Sequence, residues 1–324
     1  MTYSQHSDAI PTVLLAQTLA RFVEPAAQIQ HIGYVDLESG MSGAAVRRYT
    51  IAYATAAGAP ATTSLVTKVV ERREWLTLRH LNAQQQLNVP FAHALDDGHG
   101  EHVLICMQDA GDITRPTSLE PITEAELARE ASGLASIHIA NADHTAALDW
   151  LPIVDRGYIE AMIFQRTWWP AWQSAIATPA FVDTFGPDIP HVEAAAATIV
   201  DDLADMLADS SAHTLIHTDL NPSNVLVHNG TPYFIDWQSA MRGPFYLDLP
   251  HHHCTLAQAE HYRHARAAHG RPIAAPEFAR RYRVAARYIG LRYMWWTLEY
   301  WLSDPTQAAW VRHYIGLVTG VGIG

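Results

Sequence analysis

The sequence predicts an α+β protein, in which a small antiparallel sheet with one main helix precedes a larger, mainly helical region. Two observations support this fold class. Segments rich in β-branched and aromatic residues, such as VRRYTIAYA and SLVTKVV, occur in the first third of the chain. Apolar residues at helical spacing dominate the remainder. We place the boundary near 109–112, which gives one domain of residues 1–110 and a second of residues 111–324.

The N-terminal region is predicted to begin with a helix at 11–23, where Leu14, Leu15 and Leu19 recur at helical spacing. Strands follow in YVDL, VRRYTIAYA and SLVTKVV, and the last of these carries Lys68. The segment ERREWLTLRHL predicts the main helix of this region. FAHALDDGHGEHVLICM then predicts two strands around an Asp-Gly turn. Together these segments predict a small, mostly antiparallel sheet with a helix in its middle.

The C-terminal region is predicted from segments with helical periodicity. TEAELAREASGLASIHIA begins with a capping box formed by Thr123 and Glu126. HVEAAAATIVDDLADMLAD predicts a further helix, and residues 276–302 predict one long helix or two stacked ones. We find no internal repeat and no low-complexity segment.

Composition excludes several classes of function. The chain has 324 residues, a formal net charge of −12 and two cysteines, Cys106 and Cys254. An acidic chain lacks the basic face that nucleic-acid phosphates require, and two cysteines cannot build a disulfide framework. No run reaches the roughly 18 apolar residues that a membrane span needs, and the N-terminus lacks the features of a secretory signal. We expect a cytoplasmic monomer or homodimer without nucleic-acid or membrane partners.

One short segment, LIHTDLNPSNVLVHNGTPYFIDW at 215–237, concentrates polar side chains that suit a hard divalent cation. Mg²⁺ binds through one or two protein oxygens together with substrate phosphates, and Asn224 and Asp236 can supply those oxygens. Asp219 is then free to act on a hydroxyl group. An Asn-Gly pair at 229–230 is a strong turn signal between two apolar runs. A hairpin is therefore expected to bring Asp236 beside Asn224.

The spacing His217-x-Asp219-x₄-Asn224 resembles the catalytic loop of protein kinases, and Asp236 stands where their D-F-G aspartate stands. The variant HTDLNPSNVL…FIDW looks more like the aminoglycoside phosphotransferase and choline kinase group of kinase-like enzymes, and the resemblance covers most of the chain. It implies a two-lobed, protein-kinase-like fold and transfer of the γ-phosphate of ATP, or alternatively GTP, to a hydroxyl group. His217, Asp219, Asn224 and Asp236 would be the catalytic residues, and Asn224 and Asp236 would hold Mg²⁺.

The resemblance also assigns residues to the nucleotide. Lys68 would touch the α- and β-phosphates and pair with a helix glutamate, either Glu74 or, as the second choice, Glu71. The segment SGMSGA would cover the phosphates, since its glycines allow close backbone approach. LICMQDAG would form the hinge that offers backbone groups to a purine. The implied cofactor-binding residues are Gly40, Ser42, Gly43, Lys68, Glu74, Met107, Gln108, Asp109 and Ala110.

Asp248 resembles a second family aspartate that braces the catalytic loop through backbone amides, and a helix N-cap is its alternative role. Three positions depart from the family pattern. Thr218 replaces the usual glycine, Asn221 replaces a histidine or lysine, and Trp237 replaces the phenylalanine of D-F-G. Asn221 cannot carry charge toward the γ-phosphate, so Lys68 and Mg²⁺ must carry more of it. We expect these departures to tune the rate or the nucleotide preference without abolishing catalysis.

The acceptor is predicted to be a small molecule, because the stretch from Asp236 to Asp248 is too short for a peptide platform and no A-P-E motif follows. Its pocket is expected as an open, partly acidic groove against the helices after Asp248, with Asp219 at its floor and a tryptophan on its wall. The candidate lining residues, which could instead pack in the core or face solvent, are Trp168, Trp169, Trp172, Tyr293, Trp295, Trp296, Tyr300, Trp301, Asp201, Asp202, Asp205 and Asp209.

Three functions are considered. The leading one is an ATP-dependent phosphotransferase acting on a hydroxyl of a small molecule, such as an aminoglycoside-like antibiotic or a hydroxylated metabolite. A catalytically silent nucleotide-binding scaffold is the alternative, although Lys68, Asp219 and Asp236 are all retained. A metal-dependent hydrolase built on His217, Asp219 and the histidines at 251–253 would leave Lys68 unexplained, and consecutive histidines cannot all face one ion from a regular element. The sequence does not identify the acceptor.

Overall fold

The structure is a computed structural model that describes residues 9–37, 45–96, 98–113, 115–142 and 145–321. The chain divides into two compact units, which are Met1–Thr114 with Val225–Ser239 and Arg115–Asn224 with Ala240–Gly324. We call the first the sheet unit and the second the helical unit. Each unit is therefore assembled from two stretches of sequence that lie far apart along the chain.

The sheet unit consists of two helices and eight strands within the described residues. These are α1 (Ala9–Phe22), β1 (Gln28–Leu37), β2 (Val46–Ala54), β3 (Pro60–Glu71), α2 (Arg72–Ala83), β4 (Ala92–Ala94), β5 (His102–Gln108), β6 (Asp112–Ile113), β8 (Val225–His228) and β9 (Thr231–Phe234). The first five strands form an antiparallel sheet in the order β1-β2-β3-β5-β4, and β6-β8-β9 form a second one. The helix at 11–23 and the predicted strands are confirmed.

Helix α1 packs its leucines against the larger sheet. Leu14, Leu15 and Leu19 are each at most 1% exposed, and they belong to one cluster with Ile51 of β2 and Leu65 of β3. Each fully buried leucine contributes about 1.5–3 kcal/mol relative to leaving it in water. This packing fixes the central strand β3, on which Lys68 lies between Val46 of β2 and Ile105 of β5.

The Asn-Gly pair forms the predicted hairpin. Asn229 and Gly230 have φ values of 51° and 77°, the left-handed conformation that a two-residue turn of this kind requires. His228 pairs with Thr231, and at the other end Val225 pairs with Phe234. The hairpin therefore begins one residue after Asn224 and ends two residues before Asp236.

The helical unit holds the other α-helices and strands of the described residues. They are α3 (Glu124–Ala142), α4 (Arg156–Ala161), α5 (Trp168–Ile176), α6 (Pro179–Phe185), α7 (Ile189–Asp202), α8 (Ala204–Ala208), β7 (His213–Ile216), β10 (Met241–Pro244), α9 (Leu249–His252), α10 (Leu256–Ala268), α11 (Ala275–Ser303) and α12 (Ala308–Thr319). Strands β7 and β10 form an antiparallel pair. The sequence predicted one long helix or two stacked helices for residues 276–302. The structure has one long helix there, α11.

The helix predicted at 191–209 is interrupted at Leu203, which separates α7 from α8. The interruption is slight, because Leu203 N–H still donates to Ile199 O at 3.1 Å and Leu207 N–H to Leu203 O at 2.9 Å. Leu203 is fully buried, which keeps both pieces on the core. None of the described helices combines the length and apolarity needed to cross a bilayer.

Candidate active site

Lys68 forms an ion pair with Glu74 in the first turn of α2. Its Nζ atom lies 3.1 Å and 3.2 Å from the two carboxylate oxygens of Glu74. Glu74 is 2% exposed, so the pair is shielded from water. The alternative partner, Glu71, is 54% exposed and lies 3.7 Å from Arg73. The structure therefore brings together Lys68 and the first choice of glutamate.

Asp236 places a second carboxylate on the same lysine. The Nζ atom of Lys68 is 2.5 Å from Asp236 Oδ1. Asp236 follows β9 and has a φ of 64°, a left-handed conformation that is uncommon outside glycine. Backbone strain of this kind persists only where the surrounding structure holds it, and it is frequent at functional sites.

Burial and charge together set the protonation of this group. Burial alone lowers the pKa of Lys68, but Glu74 and Asp236 outweigh it and the net direction is upward, so the lysine stays charged. Burial raises the pKa of Glu74 to about 7, although Lys68 opposes this. Glu74 therefore changes its charge close to neutral pH while Lys68 keeps its own.

The predicted hinge begins at the end of β5. Met107 is 8% exposed and pairs with Val66 of β3, in the interior of the sheet. The Gln108 N–H donates to Phe91 O at 2.9 Å, and its side-chain amide donates to the Tyr233 hydroxyl at 3.0 Å. Gln108 is thus engaged within the sheet unit through both its backbone N–H and its side chain.

The next two residues are better placed to offer backbone groups. The Asp109 carboxylate forms an ion pair with Arg48 at 2.9 Å. No backbone hydrogen bond joins Asp109 or Ala110 to another of the residues that the structure describes. Gly111, which the sequence analysis missed, has a φ of 89°, and a β-carbon there would lie 2.6 Å from Val227 O. A glycine in the short connection between β5 and β6 was the signal for this close approach.

The glycine turn expected over the phosphates, with Gly40, Ser42 and Gly43, lies outside the described residues. The flanking strands are described, and Leu37 at the end of β1 pairs with Val46 at the start of β2. The role of the three turn residues stays a prediction.

The loop after β7 is fixed in the helical unit by Asp248. Its two oxygens accept the backbone N–H groups of His217 at 2.7 Å and Thr218 at 2.8 Å. His138 Nε2 donates to Asp248 at 3.1 Å, and the Tyr262 hydroxyl lies 2.7 Å from His138 Nδ1. Burial lowers the pKa of His138, so the ring is neutral. The bracing role of Asp248 is confirmed, whereas its side chain forms no helix-cap hydrogen bond.

Thr218 adopts a conformation that explains why the family pattern has glycine there. Its φ is 64°, and a β-branched residue in the left-handed region is strained. Its carbonyl oxygen accepts a hydrogen bond from the Tyr293 hydroxyl at 2.5 Å. The backbone is therefore held from both sides, by Asp248 and by Tyr293.

Asp219 presents its carboxylate from this fixed loop. Its side chain is 30% exposed, whereas His217 is 0% and Asn224 8% exposed. Asn224 Nδ2 donates to the Asp219 carbonyl at 2.8 Å, which leaves the amide oxygen of Asn224 to bind a metal ion. Asn221 accepts the Ser223 N–H at 2.9 Å and so forms a turn. An open carboxylate on a rigid loop can accept the proton of a hydroxyl group.

Trp237 is fully buried, and its indole N–H donates to Phe234 O at 2.9 Å. The residue that replaces the D-F-G phenylalanine therefore packs inside the sheet unit directly after the predicted metal ligand Asp236.

The histidines at 251–253 do not converge on one point. His252 Nε2 lies 2.5 Å from Glu130, and His251 Nε2 lies 3.2 Å from the Tyr314 hydroxyl. His253 is buried with neither ring nitrogen hydrogen-bonded. In the described part of the chain, no cluster of three or more His, Cys, Asp or Glu side chains is suited to a metal ion. The histidine triplet therefore gives no support to a metal-dependent hydrolase.

Several aromatic candidates for the acceptor pocket belong to the core. Trp168, Trp172 and Trp301 are at most 2% exposed. Trp168 stacks on Trp172 with ring centroids 5.6 Å apart, and Trp301 packs edge-on against Phe181 at 5.4 Å. Tyr300 is exposed, and the aromatic candidates that keep partial exposure on the helical unit are Trp169, Tyr293, Trp295 and Trp296.

The acidic candidates are mostly engaged by arginines of the same unit. The ion pairs are Asp201 with Arg156, Asp202 with Arg287 and Asp209 with Arg281. Asp205 is exposed. Three of the four carboxylates considered for a cationic acceptor therefore already have a positive partner.

The side chains near Asp219 include two that the sequence had suggested for other roles, Tyr293 as a candidate pocket residue and His251 as one of three consecutive histidines, and one that it had not suggested, Arg292. His251 Nδ1 is 4.0 Å from Asp219 Oδ1, and the His251 and Tyr293 rings have centroids 4.1 Å apart. The guanidinium carbon of Arg292 lies 5.1 Å from the centre of the Tyr293 ring. The available signal was an arginine among apolar residues in YIGLRYMWW. Arginines are rarely buried unless they are paired, so an arginine on the apolar face of a helix indicates a specific role.

The comparisons with known proteins agree with this geometry. The model of the phosphotransferase enzyme family matches residues 60–291. No curated protein sequence matches the chain. Spectinomycin phosphotransferase APH(9)-Ia, in complex with ADP and spectinomycin, is a similar solved structure, with a TM-score of 0.57, 13% identity, and coverage of 88% of this chain and 92% of that one.

Two further structures are similar. A thermostable mutant of aminoglycoside phosphotransferase APH(4)-Ia, in ternary complex with ADP and hygromycin B, gives a TM-score of 0.52 and 18% identity over 92% of this chain and 96% of that one. Choline kinase LicA from Streptococcus pneumoniae gives a TM-score of 0.50 and 13% identity over 96% of this chain and 99% of that one.

At these identities the similarities establish the fold, and they confirm the predicted kinase-like class with its small antiparallel sheet and mainly helical C-terminal region. The family match covers more than half of the chain and includes Lys68, the loop with Asp219, and Asp248. This chain belongs to the phosphotransferase enzyme family.

Proposed function

We propose that the protein is a small-molecule kinase that transfers the γ-phosphate of ATP to a hydroxyl group. The observation that carries the proposal is the 30% exposed carboxylate of Asp219 on a loop whose backbone N–H groups Asp248 accepts at 2.7 Å and 2.8 Å. A fixed carboxylate that remains open to solvent is what a hydroxyl acceptor needs. A silent scaffold would have no use for this arrangement.

The residues of the sheet unit suit the binding of a nucleoside triphosphate. Lys68 carries a positive charge for phosphate oxygens, and its position is fixed by Glu74. The backbone of Asp109 and Ala110 would take a purine. Mg²⁺, when bound, neutralises charge on the phosphates, and its oxygen ligands from this chain would be Asp236 and Asn224.

On the acceptor side, Asp219 orients the hydroxyl and takes up its proton. The hydroxyl oxygen forms a bond to the γ-phosphorus while the bond from that phosphorus to the β,γ-bridging oxygen breaks, so the products are a phosphate ester and ADP. Positioning and charge neutralisation provide most of the acceleration. The similar structures are a spectinomycin phosphotransferase, an aminoglycoside phosphotransferase in complex with hygromycin B and a choline kinase, which supports a small acceptor.

An ATP-consumption screen tests the proposal. Purified wild-type protein and Asp219→Asn are incubated with ATP, Mg²⁺ and a library of hydroxylated metabolites and antibiotics. We expect at least one compound to give a phosphate ester with the wild-type protein and not with the variant. Binding of ATP with Mg²⁺, detected as a thermal shift, without consumption in the presence of any compound would favour the silent scaffold.

A further inference from the structure

Arg292 is a buried cation beside the candidate catalytic aspartate. It lies on α11, in the same unit as Asp219, and is 8% exposed. A buried charge is stable only when it is paired and hydrogen-bonded. Among the described residues no carboxylate is in direct ion-pair contact with Arg292, and the carboxylate whose charge acts on it is Asp219. On the same helix, Arg281 pairs with Asp209 and Arg287 pairs with Asp202.

Aromatic and phenolic groups surround Arg292 instead. Its guanidinium carbon lies 5.1 Å from the Tyr293 ring centre. Burial lowers the pKa of Arg292, yet the net direction is upward and the Asp219 charge is among the causes, so the arginine is charged. Burial raises the pKa values of Tyr288 and Tyr293, so at neutral pH these phenols are uncharged. They offer dipoles and a ring face to the guanidinium, but no counter-charge.

His251, another neighbour of Asp219, also carries no negative charge. His251 is 6% exposed, its Nδ1 atom lies 4.0 Å from Asp219 Oδ1, and this nitrogen has no hydrogen-bond partner. Burial and then Arg292 hold the pKa of His251 well below its usual value, so the ring is neutral. Around Asp219 the helical unit therefore provides one cation, one neutral imidazole with a nitrogen that lacks a hydrogen-bond partner, and neutral phenols.

A polycationic acceptor does not suit these surroundings. An aminoglycoside would need several carboxylates, and of the four acidic candidates Asp201, Asp202 and Asp209 already pair with arginines, which leaves Asp205. An oxyanion suits them, because a guanidinium presents a planar fork that binds carboxylate or phosphate oxygens through two hydrogen bonds. The Nδ1 atom of His251, which is buried and has no hydrogen-bond partner, can hydrogen-bond the same molecule.

We propose that the acceptor carries an oxyanion, a carboxylate or a phosphate ester, which Arg292 binds while Asp219 receives the proton of the reacting hydroxyl. This inference rests on the proposed function and narrows its substrate class. Arg292 would be a specificity-determining residue that excludes cationic antibiotics as preferred acceptors.

Matched acceptor pairs test the inference. Phosphate transfer is measured for glycerate against glyceramide, glycerol 3-phosphate against glycerol, and larger hydroxy acids and sugar phosphates against their neutral counterparts, with choline and aminoglycosides as cationic probes. The two acidic series show whether carboxylate or phosphate is preferred. We expect the accepted compounds to be acids, with kcat/KM at least about 10-fold above that of the neutral counterpart.

Variants assign the effect to Arg292. Arg292→Met is expected to raise the KM for the acidic acceptor about 10-fold to 100-fold while leaving the KM for ATP and the activity with the neutral counterpart nearly unchanged. Arg292→Lys retains the charge and should lose less. Arg283→Met, which removes an exposed arginine from the same helix, is the control for net charge and is expected to behave as wild type. If Arg292→Met does not fold, the wild-type comparison of each acid with its neutral counterpart and the Arg292→Lys variant decide the question.

The two proposals fail in different ways. A preferred acceptor that is cationic or neutral overturns the inference and leaves the kinase function standing. An equal loss with acid and neutral counterpart in Arg292→Met overturns it as well, because the arginine would then be structural. Binding of ATP with Mg²⁺ without phosphorylation of any acid also counts against it. Absence of both an ATP-dependent thermal shift and any phosphate ester overturns the proposed function itself.

Discussion

The two charged clusters of this protein are built on opposite principles. In the sheet unit, Lys68 lies 3.1 Å from Glu74 and 2.5 Å from Asp236, so a single cation is held by two carboxylates. In the helical unit, Asp219 is 30% exposed and Arg292 is buried without an ion pair to a described carboxylate. The first cluster satisfies its charges internally, whereas the second leaves both a carboxylate and a guanidinium to be completed.

This difference corresponds to what each cluster would bind. The nucleoside triphosphate and its metal ion are the same in every turnover. A lysine that carboxylates already hold in position is sufficient for binding them. The acceptor is what distinguishes one phosphotransferase from another, so its charge is complemented by groups that remain open. We call Lys68, Glu74 and Asp236 the closed cluster, and Asp219 and Arg292 the open cluster. Substitutions in the open cluster should therefore change the reaction itself. Substitutions in the closed cluster should change nucleotide binding and its pH dependence.

The largest effect is expected from Asp219→Asn in the open cluster. The amide cannot take up a proton, so phosphate transfer should fall by about 10²-fold or more while ATP affinity stays nearly unchanged. Initial rates and an ATP titration measure the two quantities separately. Asp183→Asn, an exposed change on α6 in the same unit, is the control and should retain full activity. Normal turnover by Asp219→Asn would show that another group is the base.

Asp236→Asn tests the closed cluster. The loss of a carboxylate ligand should remove the Mg²⁺-dependent part of the stabilisation by ATP, and transfer should fall with it. A ligand present at about 100 times its Kd stabilises a protein by about 2.7 kcal/mol, so the loss is measurable as a thermal shift. Asp112→Asn, at a carboxylate that is 87% exposed in the same unit, serves as the control. An undiminished Mg²⁺-dependent shift would contradict the metal-ligand role.

The protonation of Glu74 is expected to make the stability of the protein depend on pH. Because burial raises its pKa from 4.5 to about 7, the folded protein holds a proton between these values that the unfolded chain has released. The stability from this group is fully present below pH 4.5, is lost as the pH rises toward about 7, and stays constant above that. Glu74→Gln should remove this slope.

Free energies of unfolding for wild type and Glu74→Gln at pH 5 and pH 8 measure the effect, with the same salt throughout. The ion pair with Lys68 needs the ionised glutamate, so wild-type ATP binding should strengthen as the pH rises through about 7, and the variant should lack this rise. Parallel pH profiles of the two proteins would mean that Glu74 is ionised throughout.

The smallest effect is expected from Thr218→Gly, which relieves backbone strain beside the open cluster. A left-handed conformation costs a non-glycine residue about 1–2 kcal/mol, and the greater chain entropy of unfolded glycine offsets part of that gain. The free energy of unfolding should rise by up to about 1 kcal/mol. Thr255→Gly, at a helix N-cap with φ of −122°, should instead lower it. Destabilisation by Thr218→Gly would show that the threonine side chain contributes more than the strain costs.

The sequence by itself determined the local elements and the order of the motifs. Periodicity predicted α1 and the strands of the sheet, and the Asn-Gly pair at 229–230 predicted the hairpin, because turn geometry depends on the residues in the turn. The catalytic-loop spacing from His217 to Asn224 was sufficient to suggest the family, because it contains the residue types that phosphoryl transfer requires, in the same order.

Only the tertiary structure decided which side chains meet. It selected Glu74 over Glu71 because the first turn of α2 directs one inward and leaves the other exposed. It joined 225–239 to the sheet unit across more than a hundred residues of sequence. It also placed Arg292 and His251 near Asp219, although neither belongs to a local motif. Burial and charge compensation depend on contacts between distant segments, and no pattern within one segment encodes them.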